Sequence, residues 1–222
     1  PSRMELKGGE VTLEPLNAYA HAAALYAAGY ESPEALATWD YLIYGPWPDL
    51  ESYKVTLRAQ SASVDPIFYA IRCTQTGRVC GQASFLDNNA QNGVTEIGHI
   101  WFAPVLQRTR AATEALFLML CYAFDNLKYR RMQWRCNALN QKSRGAAHSL
   151  GFRFEDIFYN HRIFKGKNRD TAWYSILDSE WQGVRTIIGN WLKPENFDDA
   201  GVPLTSLAAK MSQRISSERG SP

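Results

Sequence analysis

The apolar positions of this chain change period several times, and each change marks an element. Residues 10–16 (EVTLEPL) alternate apolar and polar before a proline, which predicts a first strand. Residues 17–29 are alanine-rich with Leu25 and Tyr26, a first helix. IFYAIRC (67–73) and RVCGQASFLD (78–87) read as strands joined by a turn at Gly77. NNAQNG (88–93) is dense in turn residues, and VTEIGHIWF (94–102) completes an antiparallel meander. From Ala111 to Leu127 the sequence is almost continuously apolar, too long for a strand and therefore a buried helix. RMQWRCN (131–137) alternates again, and Asn140 caps a short helix that ends at Leu150, with Gly151 in the left-handed C′ position. Two last strands, 152–159 and 171–178, are separated by the basic loop KGKNRD (165–170). The order predicts an α+β (mixed α/β) fold built on one sheet, without internal repeats.

Two stretches stand apart. Residues 30–60 interleave Trp39, Tyr41, Tyr44, Trp47 and Tyr53 with prolines and glycines, as a packed lid or as a wall of a substrate cleft. Residues 193–222 are rich in Gly, Pro, Ser and acidic residues, with a weak helical pattern at 204–215. They read as a tail, partly disordered or packed on a partner, behind a single domain spanning 1–192.

Composition adds exclusions. At 222 residues and 45% hydrophobic, the chain buries a core without disulfides or a structural metal and is not disordered. A formal charge of +2 gives no basis for nucleic-acid binding. Arg130, Arg131 and Arg135 beside Trp134 read as an exposed basic edge. Cys73, Cys80, Cys121 and Cys136 lack zinc spacing and sit in apolar segments, so reduced thiols are expected, with a Cys73–Cys80 bridge as the lesser alternative. His21, His148 and His161 form no ligand spacing, so no metal is expected. The longest apolar run, 115–124, is too short to span a bilayer, and together with the reduced thiols this sets the expectation of a cytoplasmic location with no membrane partner.

The chemistry concentrates in residues 96–124. A strand runs into Pro104, then a loop of Gln107, Arg108, Thr109, Arg110, Ala111 and Ala112, then a helix. Unsatisfied N–H groups at a helix start, with the helix dipole behind them, bind anions, and two loop arginines would add charge-assisted contacts to phosphate. Neither GxxxxGK[ST] nor GxGxxG is present.

This segment resembles the acyl-CoA-binding motif Q/R-x-x-G-x-G/A of the GNAT N-acetyltransferases, with Gln107, Arg110 and Ala112 at the specified positions and Arg110 in place of the central glycine. The wider pattern is similar to the Rim-type, ribosomal-protein-like branch: VTLEPL, Trp39 with Tyr41-Leu42 and Gly45-Pro46, EIGHIW, TEA (113–115), Asn140 with Ser143, LGF (150–152), Glu155, and RDTAWYSIL through Trp181. The resemblance covers 10–192 and implies a twisted, mostly antiparallel mixed sheet, flanked by helices and split between the fourth and fifth strands, with acetyl-CoA in the split. It implies that the N–H groups of Arg108 to Thr113 receive the pyrophosphate. Pantetheine would run along Ile100, Trp101 and Phe102, and an N–H near Ile100 would polarise the thioester. Asn140 and Ser143 would approach from the far side.

The resemblance implies N-acetylation of a primary amine on a protein N-terminus or a small molecule, with a homodimer as a further expectation. A non-catalytic acyl-CoA-binding sensor or regulatory module is the alternative. An alkyl ammonium, of pKa about 10.4, must lose a proton before it attacks. Glu96 and His99, three apart on a strand, are expected on opposite faces. Glu96 is preferred as the base because a carboxylate also attracts a cationic amine. The family's usual tyrosine acid falls at Ala147 here, leaving Ser143 as a hydrogen-bond donor to sulfur or as a residue bonded within its own turn. Trp39, Asp40, Tyr41 and Asp170 are the candidate acceptor contacts.

Overall fold

The computed structural model describes residues 1–219. Strand β1 (Leu6–Lys7) and β2 (Val11–Pro15) lead into α1 (Ala18–Tyr30), α2 (Pro33–Ala37) and α3 (Leu50–Ala62). The meander follows as β3 (Ile67–Cys73), β4 (Val79–Asn89) and β5 (Val94–Phe102), and α4 (Arg110–Cys121) continues into a π turn at Tyr122–Asn126. Then come β6 (Arg131–Asn137), α5 (Gln141–Ser149), β7 (Arg153–Phe164), β8 (Lys167–Leu177), α6 (Asp178–Trp191) and α7 (Leu207–Arg219). Among the described residues the strands form one mixed sheet in the order β1-β2-β3-β4-β5-β6-β8-β7. All pairs are antiparallel except β5–β6.

The parallel pair is also where the sheet parts. Val94, Thr95 and Glu96 pair with Arg131, Met132 and Gln133, and beyond them the two strands no longer pair. Helices cover both faces. Gln82 on β4 donates to Gln60 of α3 at 3.1 Å, which sets one face. Phe85, of opposite parity, meets Tyr122 beyond α4 at 5.8 Å, which sets the other. Glu114 of α4 accepts from the N–H groups of Gly9 (3.0 Å), Glu10 (2.7 Å) and Val11 (2.9 Å), tying the helix to the β1–β2 turn.

Several sequence expectations change. KGKNRD is not a loop: the strands run on to a two-residue turn at Lys165 and Gly166, both at positive φ, as right-twisted hairpins prefer. Helix α6 is an added element, with Trp181, Val184, Ile188 and Trp191 on its buried face. The segment after α6 packs on its own chain at several points. Leu207 and Met211 of α7 join the core, Trp191 donates to the Thr205 carbonyl at 2.8 Å, and Phe197 lies edge-on to Trp191. Residues 220–222 of the expected tail lie outside the described residues. Cys73 and Cys80 are free thiols with their sulfurs 3.1 Å apart.

Candidate active site

A β-bulge shapes the centre of the site. Between the pairs Ser84–Gly98 and Gln82–Trp101, Ala83 alone opposes both His99 and Ile100, and His99 adopts φ +50°. A bulge breaks the two-residue alternation and re-aims the side chains beyond it. Glu96, Gly98 and Trp101 therefore share the α3 face with Gln82, and His99 joins them, stacking on Tyr44 (5.6 Å) and meeting Phe68 (5.1 Å). The expectation that Glu96 and His99 point to opposite faces fails for this reason.

Glu96 is 4% exposed. Arg135 of β6 donates through Nε to Glu96 Oε2 and through Nη2 to Asp87, and its guanidinium lies 4.8 Å over the Trp173 ring. Burial pushes the Glu96 carboxyl up to about 7, although Arg135 pulls it down. Burial also pushes His99 down to about 4, with Arg135 adding to the effect, and its Nδ1 lies 3.2 Å from the Tyr44 hydroxyl. The two groups share a face but differ in chemistry. Glu96 is poised to exchange a proton near neutrality, whereas His99 is neutral there.

The unpaired end of β5 leads directly to the start of α4, so the opening in the sheet and the helix N-terminus lie at the same end of the strand. Thr109 caps α4, its Oγ1 accepting from the Ala112 N–H at 3.1 Å and donating to the Leu106 carbonyl at 2.7 Å. Gln107 Nε2 holds the Phe102 carbonyl at 2.9 Å. Arg108, at φ +61°, is exposed, and helix geometry gives the Arg110 and Ala111 N–H groups no intrahelical acceptor. The Arg110 side chain does not join this cradle. It pairs with Glu10 at 2.8 Å, donates to the Leu192 carbonyl at 2.9 Å, and lies 5.1 Å over Phe197.

Across the opening, the α5 residues sit on the α4 side of the sheet. Asn140 Oδ1 accepts from the Ser143 N–H at 3.1 Å, and Ser143 Oγ accepts from Trp134 Nε1 at 3.0 Å. Accepting from the indole leaves the Ser143 proton for a second partner, and the Cys136 thiol lies within its hydrogen-bonding reach.

The proposed acceptor contacts separate. Trp39 is 2% exposed and stacks on Trp101 at 4.8 Å and 7°, with Trp47 edge-on, so its ring belongs to the core. Trp101 itself is buried, anchored by its Nε1 to Thr38 Oγ1 at 2.7 Å, while Ile100 and Phe102 are half-buried. Asp40 and Tyr41 are exposed. Asp170 accepts from the Asn160 N–H at 2.8 Å and from Asn168 at 3.0 Å, bracing the bulge in β7. Arg135 and Asp87 flank Glu96, with Trp173 beneath Arg135 and Tyr44 against His99; Arg135 is therefore not part of an exposed basic edge, and Tyr44 belongs to the aromatic stretch read as a lid or cleft wall. Arg135 stands two residues after Gln133, the parallel partner of Glu96, so it is the register of the parallel pair that brings it to the carboxyl.

A mixed sheet that parts at a parallel pair, with a helix start offering unpaired N–H groups at its mouth and a buried carboxyl at its lip, is the arrangement of an acyl-group transferase of the acetyltransferase class. The chain matches the acetyltransferase (GNAT) domain family over residues 10–153 and belongs to it. It is 42% identical to a GCN5-related N-acetyltransferase from Brucella melitensis, whose crystal structure matches with TM-score 0.93 over 96% of each chain. A probable GNAT-family acetyltransferase from Chromobacterium violaceum ATCC 12472 is 36% identical, with TM-score 0.76 over 82% of this chain and 90% of that one. The protein named "Putative ribosomal N-acetyltransferase YdaF" from Bacillus subtilis (strain 168) is 26% identical over 159 residues, 70% of this chain and 85% of the relative. These findings fit the Rim-type branch.

Proposed function

We propose that this acetyltransferase uses acetyl-CoA to acetylate the primary amine of a peptide N-terminus or small molecule by direct attack, with Glu96 as the base. The observation that carries this reading is the Glu96 carboxyl, buried at the lip of the split and held near neutrality in its titration. The residues fit the cofactor. The Arg108–Thr113 backbone at the start of α4 offers N–H groups for the pyrophosphate, and the bulge frees backbone beside Ile100 for the acetyl oxygen. Asn140 and Ser143 approach from the α4 side. Bound there, acetyl-CoA supplies the activated acetyl group.

Glu96 takes a proton from the acceptor ammonium, and Arg135 and Asp87 fix its orientation and its proton affinity. General-base help of this kind contributes about 10²–10⁴-fold. The Ser143 hydroxyl donates a hydrogen bond toward the sulfur side. A cytoplasmic location is part of the same reading, supported by four free cysteines. Among the described residues no helix is long and apolar enough to cross a membrane. The test is thiol release from acetyl-CoA across an amine panel, with the product identified by mass spectrometry. An N-acetylated amine is expected. Acetyl-CoA binding without turnover on any amine would make the chain a sensing module instead.

A further inference from the structure

The β7–β8 hairpin carries charge that the reaction above does not use. Arg162 and Arg169 are direct register partners, so their side chains rise from one face. Alternation along β8 carries that face from Arg169 to Trp173, whose partner on β6 is Arg135, the residue that grips Glu96. Both arginines are near enough to Glu96 to act on it electrostatically. At the hairpin tip, Lys165 Nζ donates to the Trp39 carbonyl at 3.2 Å, fixing the hairpin over the α3 side of the sheet.

The other arginines of this face have carboxylate partners, Arg131 with Glu155 and Arg135 with Glu96 and Asp87. Among the described residues, neither Arg162 nor Arg169 has a carboxylate within ion-pair distance. Like charges placed directly opposite on a ladder repel. Arg169 is half-buried, and desolvation together with Arg162 lowers its proton affinity. Its Nε and the Trp173 Nε1 are buried with no acceptor among the described residues. Arg162 is exposed to water, so the cost falls on the half-buried Arg169 beside its like-charged neighbour and on the two orphaned donors, all of which an acceptor-rich anion would satisfy.

Resting on the N-acetyltransferase reading, we propose that Arg162, Arg169 and Trp173 form a subsite for an anionic group, carboxylate or phosphate, carried by the amine acceptor. The anion cannot be assigned to the cofactor pyrophosphate, because the α4 N-terminus that suits it is at the loop after β5, whereas the arginines stand on the hairpin beside Glu96. The acceptor is therefore an amine that also bears negative charge, and a polyamine is a poor fit.

The experiment compares matched acceptors on the intact enzyme. One set is ω-amino acids of two to six carbons against their carboxamides. A second is phosphoethanolamine against ethanolamine. A third is short peptides with Glu at positions 2–5 against the Gln versions. We expect kcat/KM to favour the anionic member of at least one pair by roughly 10- to 100-fold, the range of a charged hydrogen bond. Arg162→Gln and Arg169→Gln should collapse that ratio toward one, chiefly through KM, and Arg169→Lys should restore part of it. In Arg162→Glu the preference should invert toward cationic acceptors. A wild-type ratio near one across all pairs, or a ratio untouched by the substitutions, overturns the subsite while leaving the acetyltransferase reading intact. Failure to acetylate any amine overturns both.

Discussion

Arg135 holds Glu96 and Asp87 on the same guanidinium, so one cation sets the proton affinity of the buried carboxyl from one side and Asp87 opposes it from the other. The signs follow directly. Arg135 stabilises the charged form of Glu96, so Arg135→Gln should move the half-maximal pH of kcat/KM above its wild-type position near 7. Asp87 disfavours that form, so Asp87→Asn should move it lower. Both shifts are measured in pH–rate profiles.

Trp39 stacks on Trp101 inside the core and not at the acceptor. Trp39→Ala should cost about 3–5 kcal/mol of stability in chemical denaturation. Tyr41→Ala, at a side chain in a residue 48% exposed, should stay within about 0.5 kcal/mol.

Arg110 braces α4 to Glu10 and to the chain after α6. Arg110→Ala should lower stability by about 1–3 kcal/mol. It should change the calorimetric dissociation constant of acetyl-CoA by less than about threefold, whereas Arg108→Ala, in the exposed loop, should weaken it by roughly that factor or more. A tenfold loss on Arg110→Ala would place that side chain in the cofactor site after all.

Glu114 accepts three backbone N–H groups of the β1–β2 turn, and removing it leaves those donors without their partner. Glu114→Ala should cost about 2–3 kcal/mol, visible as a Tm lower by roughly 4–12 °C at this chain length.

Much of this was legible in the residues, for reasons that can be named. The meander strands are bounded by Gly77 and NNAQNG and carry apolar runs, so 67–73 and 94–102 coincide with β3 and β5. Asn140 and Gly151 mark α5 because capping and left-handed termination are local chemistry. The bulge at His99 was not legible: a histidine at positive φ has no signature in HIWF, and it alone moves His99 beside Glu96. The hairpin past Phe158 was hidden for another reason. Its charged residues mimic a loop, and only the register shows that Arg162 faces Arg169. Helix α6 could have been found, since Trp181, Val184, Ile188 and Trp191 repeat at helical spacing.

The most direct test of Glu96 as the base is the pH dependence of kcat/KM in the wild type, Glu96→Gln and His99→Gln. A base must be deprotonated, so the wild-type rate should climb with pH, pass half-maximum near 7 and level off. Glu96→Gln should lose that limb and about 10²–10⁴-fold in rate, with acetyl-CoA affinity retained. His99→Gln should keep the limb, because the imidazole is already neutral above about 4. A limb that survives in Glu96→Gln and vanishes in His99→Gln would contradict the account.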